Sequence, residues 1–200
     1  ISVREKSSIQ VLQELTDKLI QVVVDPVLLL QKKEWKKIAN VPQIKEPYLL
    51  CYLLGNDVSQ RKSVKKLAKK LNLKILTFSH IFGNAVRKCD LFFGDIHDYT
   101  SGPREFIGLI QNAELVVTDS FHACVFAIIF NKPFIVIANK ERGLARIESL
   151  LAMFGLQKAL YDCNNKDFDV NNIDWNTIND RLLDLQNYSL DLLKESSCGM

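Results

Sequence analysis

The chain has 200 residues, of which 48% are hydrophobic and 24% charged, so its size allows one complete hydrophobic core and part of a second. The formal net charge of +3 is too small to indicate nucleic acid as a partner, and no apolar run approaches the roughly 18 residues of a membrane-spanning helix. The five cysteines contain no C-x-x-C pair, and their odd number argues against a disulfide framework and for a reducing compartment.

Residues 1–40 predict a strand–helix–strand unit that lacks the rest of its sheet. We expect a strand at residues 1–4, a helix at residues 9–15 that Ser7 caps and whose apolar positions share one face, and a second strand at residues 21–24. Because the chain begins inside a strand, we expect it to be the carboxyl-terminal part of a longer protein. Residues 1–40 are then the end of an amino-terminal α/β domain and its crossover.

From Tyr48 onward, strands and helices alternate regularly. The predicted strands are residues 48–54, 74–78, 115–118 and 134–138, and the predicted helices are residues 63–71, 103–112, 121–130, 144–154 and 175 to about 193. Such alternation predicts a parallel sheet with right-handed crossovers. We therefore expect residues 48–200 to form a carboxyl-terminal Rossmann-like α/β domain with a terminal packing helix.

Residues 114–134 place His122 where a buried strand turns directly into an apolar helix. Asp119 or Ser120 can cap this helix. Parallel sheets bind ligands outside the carboxyl ends of their strands, and the first turn of a following helix offers unpaired N–H groups to an anion. His122 is therefore a candidate ligand-site residue. The alternative is a core histidine hydrogen-bonded to a carbonyl group.

Three arginines occupy similar positions. Arg4 follows the first predicted strand, so it can face the same cleft as His122, and its guanidinium suits a carboxylate or phosphate. Arg142 and Arg146 follow the strand at residues 134–138. The alternatives are a surface salt bridge for Arg4 and a solvated first helical turn for the other two.

Other polar groups predict no cofactor or metal site. Four residues resemble hard-metal ligands in a loop, but their spacing matches no known motif: Asp90, Asp95, His97 and Asp98. Neither a G-x-G-x-x-G nor a P-loop pattern occurs, so a dinucleotide or P-loop nucleotide has no residue support. The lysines between Lys62 and Lys70 indicate the outer face of an amphipathic helix, with contact to anionic lipid as an alternative.

Several motifs together resemble the polysaccharide pyruvyl transferase family. They are SVREKSS at residues 2–8, DPVLLL at 25–30 with Trp35 following, YLLCYLLG at 48–55, PREFIGLIQNAELVVTDSFHACVFAIIFNKPF at 103–134, and R-x-x-x-R from Arg142 to Arg146. The resemblance implies a two-domain, glycosyltransferase-B-like fold. It also implies transfer of pyruvate from phosphoenolpyruvate to sugar hydroxyls as a ketal, with release of phosphate, in cell-surface polysaccharide biosynthesis.

The resemblance also implies roles for individual residues. Arg4 matches the anion-binding arginine of an S-x-R-[ED] motif, and His122 matches the histidine of a T-[DS]-x-x-H motif. Some members have arginine and leucine directly before this histidine, where this chain has Ser120 and Phe121. Many members have glycine after it, where this chain has Ala123.

These observations combine into one hypothesis about the site. Arg4 binds the carboxylate or phosphate of phosphoenolpyruvate, and the helix start at Ser120 and Phe121 binds the anion. His122 transfers a proton or orients the phosphate. Arg142 and Arg146 are further substrate-binding candidates. We expect phosphoenolpyruvate as co-substrate without a cofactor or metal, and an acceptor saccharide that is free or lipid-linked. We expect a cytoplasmic protein, with peripheral contact to the inner face of the membrane as an open alternative.

Two other function classes stay open. A nucleotide-sugar glycosyltransferase shares the expected architecture and requires an acidic residue near a ribose, for which Glu141 or Glu148 can serve. A non-catalytic binding module is the other alternative. Because most of the amino-terminal sheet is missing from the sequence, we expect this chain alone to have little activity.

Overall fold

The structure is a computed structural model that describes residues 1–78, 81–82, 85–138, 143–161 and 172–198. Its strands are β1 Ser2–Val3, β2 Gln21–Val22, β3 Tyr48–Tyr52, β4 Lys74–Phe78, β5 Ile81–Phe82, β6 Ala85–Val86, β7 Ile96–Asp98, β8 Leu115–Thr118, β9 Phe134–Ile137 and β10 Leu160–Tyr161. Its α-helices are α1 Ser7–Gln13, α2 Lys32–Ile38, α3 Val58–Leu71, α4 Pro103–Asn112, α5 Phe121–Phe130, α6 Leu144–Phe154 and α7 Trp175–Cys198. Two 3-10 helices span Pro26–Leu29 and Gln157–Ala159.

A six-stranded parallel sheet forms the centre of the fold, in the order β10-β9-β8-β3-β4-β7. The prediction of a Rossmann-like α/β domain is confirmed. The two edge strands were not predicted because each has only two or three residues, without the long apolar run of a buried strand. Strand β7 is held at the edge by Asp95, whose backbone N–H donates to the Ile75 carbonyl and whose carboxylate accepts from the Ile75 N–H.

Each face of the sheet carries its own apolar cluster. One cluster includes α5 and takes Leu50, Leu76 and Val116 from the strands. The other packs under α3 and takes the preceding residue of each strand, Leu49, Ile75 and Leu115. This alternation follows from the two-residue period of a β-strand. Helix α5 buries all eight residues from Ala123 to Phe130, as expected for a helix that is apolar on every side.

The amino-terminal strand–helix–strand unit is confirmed, but the predicted cap of its helix is wrong. Strands β1 and β2 pair in parallel as a separate sheet of two strands. Helix α1 begins at Ser7, so this residue lies inside the helix and does not cap it. No residue of α1 is buried, and Leu15 just beyond it is 78% exposed, because the short two-stranded sheet gives the apolar face of α1 little surface to cover.

The segment between β2 and β3 packs onto the core of the six-stranded sheet. The Trp35 indole lies edge-on to the Phe126 ring at 5.0 Å and donates to the Val27 carbonyl, and Leu28 is fully buried. Helix α4 approaches this segment where Gly108 faces Asn40. The Asn40 N–H donates to the Arg104 backbone carbonyl at 3.0 Å. A side chain at position 108 would collide with the Asn40 carbonyl.

Helix α3 begins five residues before the predicted start at residue 63. The Asp57 side chain caps it by accepting from the Ser59 N–H at 2.7 Å. Gln60 and Arg61 follow in the first turns and are buried although they are polar, so they interrupt the apolar pattern that marks a helix.

Candidate active site

The junction between β8 and α5 lies at the carboxyl edge of the sheet and is fixed by hydrogen bonds. The Thr118 hydroxyl donates to the Tyr52 carbonyl at 2.6 Å and accepts from the Ser120 N–H at 2.9 Å. Ser120 stands at the N-cap position, yet no side chain accepts a hydrogen bond there. The first turn of α5 therefore keeps N–H groups available to an anion.

Asp119 does not cap α5 either. Its buried carboxylate accepts from the backbone N–H groups of Leu54 at 2.5 Å and Gly55 at 2.8 Å. Strands β3 and β8 are neighbours, so these bonds join the loop after β3 to the start of α5. Burial, with the nearby Asp119 carboxylate as a smaller contribution, raises the pKa of Tyr52 at the end of β3.

His122 lies in the first turn of α5 and is exposed. Its ring contacts the Phe121 ring edge-on, with centroids 5.4 Å apart. Within the described residues no hydrogen bond reaches its ring nitrogens. The alternative of a core histidine is therefore wrong, and the imidazole is accessible to a ligand.

Arg4 follows β1 and forms an ion pair with Asp25. Nη1 of the guanidinium donates to Oδ2 of the carboxylate, whose Oδ1 accepts from the Val27 N–H at 3.0 Å. The Asp25 side chain is 3% exposed, whereas the Arg4 side chain is 45% exposed. Asp25 therefore holds one side of the guanidinium while the other N–H groups face solvent, a geometry suited to an anionic ligand.

A small pocket of about 10 Å³ joins these elements. Arg4 and Asp25 line it together with Phe121 of α5 and Arg146 of α6, and the remaining wall is Glu5, Ser149, Leu150 and Met153. Arg4 and Glu5 also line a larger cavity of about 590 Å³ between β1, β2 and the end of α7. The structure thus brings Arg4, Phe121 and Arg146 together, with His122 adjacent to Phe121 in the chain.

A buried ion network that was not predicted from the sequence supports the edge of the sheet. Asp90 accepts from Arg61 at 2.6 Å and from Arg87 at 2.8 Å. The two guanidinium groups also donate to backbone carbonyls of the loop after β3, Arg87 to Leu53 at 2.6 Å and Leu54 at 2.7 Å, and Arg61 to Gly55 at 2.9 Å. Together with Asp119, the network holds both the N–H and carbonyl groups of this loop.

The acidic residues and His97 that resemble metal ligands in the sequence bind to other groups of the protein. Asp95 and Asp98 use their carboxylates on backbone N–H groups, and His97 Nδ1 lies 3.2 Å from the Thr77 hydroxyl. In the described part of the chain no group of histidine, cysteine and acidic residues could hold a metal ion. Arg142 and Glu141 lie outside the described residues, and Glu148 is exposed. None of the described helices is both long and apolar enough to cross a membrane.

A comparison with protein-family models finds one described as polysaccharide pyruvyl transferase, which matches residues 1–141. The matched region contains Arg4, Asp25, Asp119 and His122. A comparison with curated proteins finds no match.

Three solved structures are similar at low sequence identity. They are the glycotransferase of kitacinnamycin (14% identity, 74% of this chain, 36% of that chain, TM-score 0.39), the dodecameric iron-containing heptosyltransferase TibC in complex with ADP-D-beta-D-heptose (12%, 80%, 48%, 0.39) and the glycosyltransferase SnogD from Streptomyces nogalater (10%, 73%, 40%, 0.38). The chain spans less than half the length of each of these structures. At these TM-scores the likeness carries no argument about the site.

Proposed function

The chain belongs to the polysaccharide pyruvyl transferase family, and from this premise we propose that the complete protein transfers pyruvate from phosphoenolpyruvate to two hydroxyl groups of a saccharide as a ketal. The saccharide belongs to a cell-surface polysaccharide under assembly in the cytoplasm. The observation that best supports the proposal is the pocket that Arg4 and Arg146 share with Phe121 at the first turn of α5.

The chemistry of the donor fits this arrangement. Phosphoenolpyruvate carries a carboxylate and a phosphate, and such groups bind to fixed guanidinium groups and to the N–H groups of a helix start. Arg4 offers the N–H groups that Asp25 does not engage, and Arg146 adds a second cation to the same pocket. Ser120 and Phe121 contribute the backbone of the helix start.

The reaction requires two oxygen–carbon bonds to form and one to break. Both acceptor oxygens bond to C2 of the donor, the methylene carbon gains a proton to become a methyl group, and the C2–O bond to phosphate breaks. Each attacking hydroxyl loses a proton, so one proton reaches the carbon and the other leaves with the phosphate. An imidazole is suited to such transfers, and His122 is an exposed histidine whose ring contacts Phe121, one of the pocket residues.

The direct test is incubation of the complete protein with phosphoenolpyruvate and an acceptor saccharide. We expect stoichiometric release of inorganic phosphate and a saccharide whose mass increases by that of one pyruvate ketal. Parallel reactions with free and lipid-linked forms of the same saccharide identify the acceptor class. Absence of phosphate release with both forms, under conditions in which the protein binds phosphoenolpyruvate, would argue against transfer.

A thermal-shift comparison separates this function from that of a nucleotide-sugar glycosyltransferase. A ligand that binds only the folded state raises the unfolding temperature. We expect phosphoenolpyruvate to raise it and nucleotide sugars to leave it unchanged. The opposite pattern would favour glycosyl transfer, and a protein stabilised by saccharide alone would favour a binding module.

A further inference from the structure

Helix α3 presents a row of lysines on one face. Lys62, Lys65, Lys66, Lys69 and Lys70 recur at intervals of three and four residues, and all five are exposed. The opposite face of the helix buries Val64 and Ala68 against the sheet. No aspartate or glutamate occurs between Val58 and Leu71, so the helix itself supplies no compensating negative charge.

Two apolar side chains project from the loop beside this helix. Leu91 is 48% exposed and Phe92 is 89% exposed, whereas the next residue, Phe93, is buried. The Lys65 ammonium donates to the Phe92 carbonyl at 3.1 Å and lies 5.9 Å from the centre of the Phe93 ring. Lys65 therefore ties this loop to the helix, and Phe92 extends into solvent next to the lysine row.

This surface lies on the other side of the sheet from α5. Helix α3 packs on the cluster that contains Leu49 and Cys51, whereas α5 and Trp35 of α2 belong to the cluster on the opposite face. Asp95 lines a groove with Lys65, Lys69 and Lys74, and its carboxylate accepts from the Ile75 N–H at 2.7 Å. Asp90, beside Leu91, is paired with Arg61 and Arg87. The surface is therefore strongly cationic and separate from the pocket at Arg4.

We propose that the five lysines of α3 together with Leu91 and Phe92 form a membrane-docking surface that binds an anionic phospholipid bilayer. The lysines complement the negative headgroups, and the exposed leucine and phenylalanine insert at the boundary between headgroups and acyl chains. Charge and apolar insertion are the two contributions that a peripheral protein needs for stable attachment. Contact with a nucleic-acid backbone uses the lysines and leaves the exposed Leu91 without a partner, which favours a bilayer over nucleic acid.

The experiment is co-sedimentation of the protein with vesicles of phosphatidylcholine alone or with part of it replaced by phosphatidylglycerol. Each lysine near an anionic bilayer contributes about fivefold to partitioning, so the double variant Lys66→Gln/Lys70→Gln should bind about 25-fold more weakly. Neither side chain has a hydrogen-bond partner among the described residues. The matched control is Lys36→Gln/Lys37→Gln on α2, which removes the same charge from another side of the molecule and should bind as the wild type does.

A second variant tests the apolar contribution. Phe92→Ser keeps the backbone carbonyl that accepts from Lys65, and we expect several-fold weaker binding to anionic vesicles. Its control is Tyr188→Ser, at an aromatic residue of α7 that is 47% exposed. Unfolding temperatures equal to that of the wild type establish that each variant is folded.

Three outcomes would overturn the proposal. The first is equal binding of the wild type to the two kinds of vesicle. The second is wild-type binding to anionic vesicles by both the lysine variant and Phe92→Ser. The third is a lysine variant that loses binding to a single-stranded oligonucleotide but keeps its binding to vesicles. The last result would assign the surface to nucleic acid. None of these measurements depends on pyruvyl transfer, so the docking surface and the proposed reaction can fail independently.

Discussion

Arg4 and Arg146 line the same pocket, although one follows the first strand and the other lies in the first turn of α6. The pocket therefore requires the amino-terminal unit and the main sheet to be correctly joined. Asp25 offsets part of the positive charge and fixes the Arg4 guanidinium. The arrangement leaves two cations beside the start of α5.

His122 is predicted to act on the reaction more than on binding. Replacement by glutamine in the complete protein should lower kcat by about 100-fold or more, because general acid–base groups contribute about 10²–10⁴-fold. The KM for phosphoenolpyruvate should change little. The measurement is phosphate release at varied phosphoenolpyruvate concentration. His97→Gln, at a half-buried histidine beside Thr77, is the control, and an unchanged kcat in His122→Gln would remove this histidine from the mechanism.

Asp119 is predicted to stabilise the junction between β3 and α5. In Asp119→Asn one carboxylate oxygen becomes an NH₂ group that faces a backbone N–H, so one of the two hydrogen bonds to the loop is lost. We expect the free energy of unfolding, measured by urea denaturation, to fall by about 1–3 kcal/mol. Asp17→Asn, at an exposed aspartate, should leave the unfolding midpoint unchanged. Equal stability of both variants would show that the bonds to Leu54 and Gly55 contribute nothing.

The Asp57 cap predicts a dependence of stability on pH. Hydrogen bonds from the Ser59 side chain and backbone hold the pKa of Asp57 below its usual value near 3.8. A carboxyl whose pKa is lowered by folding stabilises the protein above the unfolded pKa, and this contribution disappears as pH falls through the folded pKa. Asp57→Ala should therefore cost about 0.5–1 kcal/mol at neutral pH, because the site is exposed, and progressively less below pH about 4.

Thermal unfolding of the wild type and Asp57→Ala across this range of pH measures the effect. Asp57→Asn is the matched control, since asparagine also caps helices but does not titrate. A stability difference between wild type and Asp57→Ala that stays constant into strong acid would contradict the assignment.

Gly108 is predicted to be essential for the contact between α4 and the segment before β3. A Cβ atom there would lie 1.7 Å from the Asn40 carbonyl oxygen, so Gly108→Ala must displace backbone. We expect a loss of about 1–3 kcal/mol in unfolding free energy. Gly155→Ala gives a comparison, because a Cβ at residue 155 meets no atom within 4 Å and the strain comes from its φ of 71° alone. A smaller loss for Gly108→Ala than for Gly155→Ala would be inconsistent with this packing.

The sequence predicted the elements of the central core most accurately. Helix α5 and strand β8 have the predicted bounds because their apolar runs are continuous and polar residues stop them sharply. The buried bonds of Asp90 with Arg61 and Arg87 could not be predicted, since charged residues in an amphipathic pattern resemble a solvated surface until tertiary contacts are known. The bonds of Asp119 to Leu54 and Gly55 are also tertiary, so the sequence alone indicates Asp119 only as one of two possible caps of α5, the other being Ser120. The position of Arg4 after the first strand was enough to predict that it faces a cleft. Its ion pair with Asp25 could not be predicted, because it depends on how the chain turns after β2.

Calorimetric titration of the complete protein with phosphoenolpyruvate measures whether Arg4 and Arg146 bind the anionic donor. Charge-assisted hydrogen bonds contribute about 1.5–3 kcal/mol each, so Arg4→Ala and Arg146→Ala should each weaken binding by at least about tenfold. Arg181→Ala, at an exposed arginine of α7, should bind as the wild type does. Wild-type affinity in a folded Arg4→Ala variant would show that Arg4 does not bind the donor.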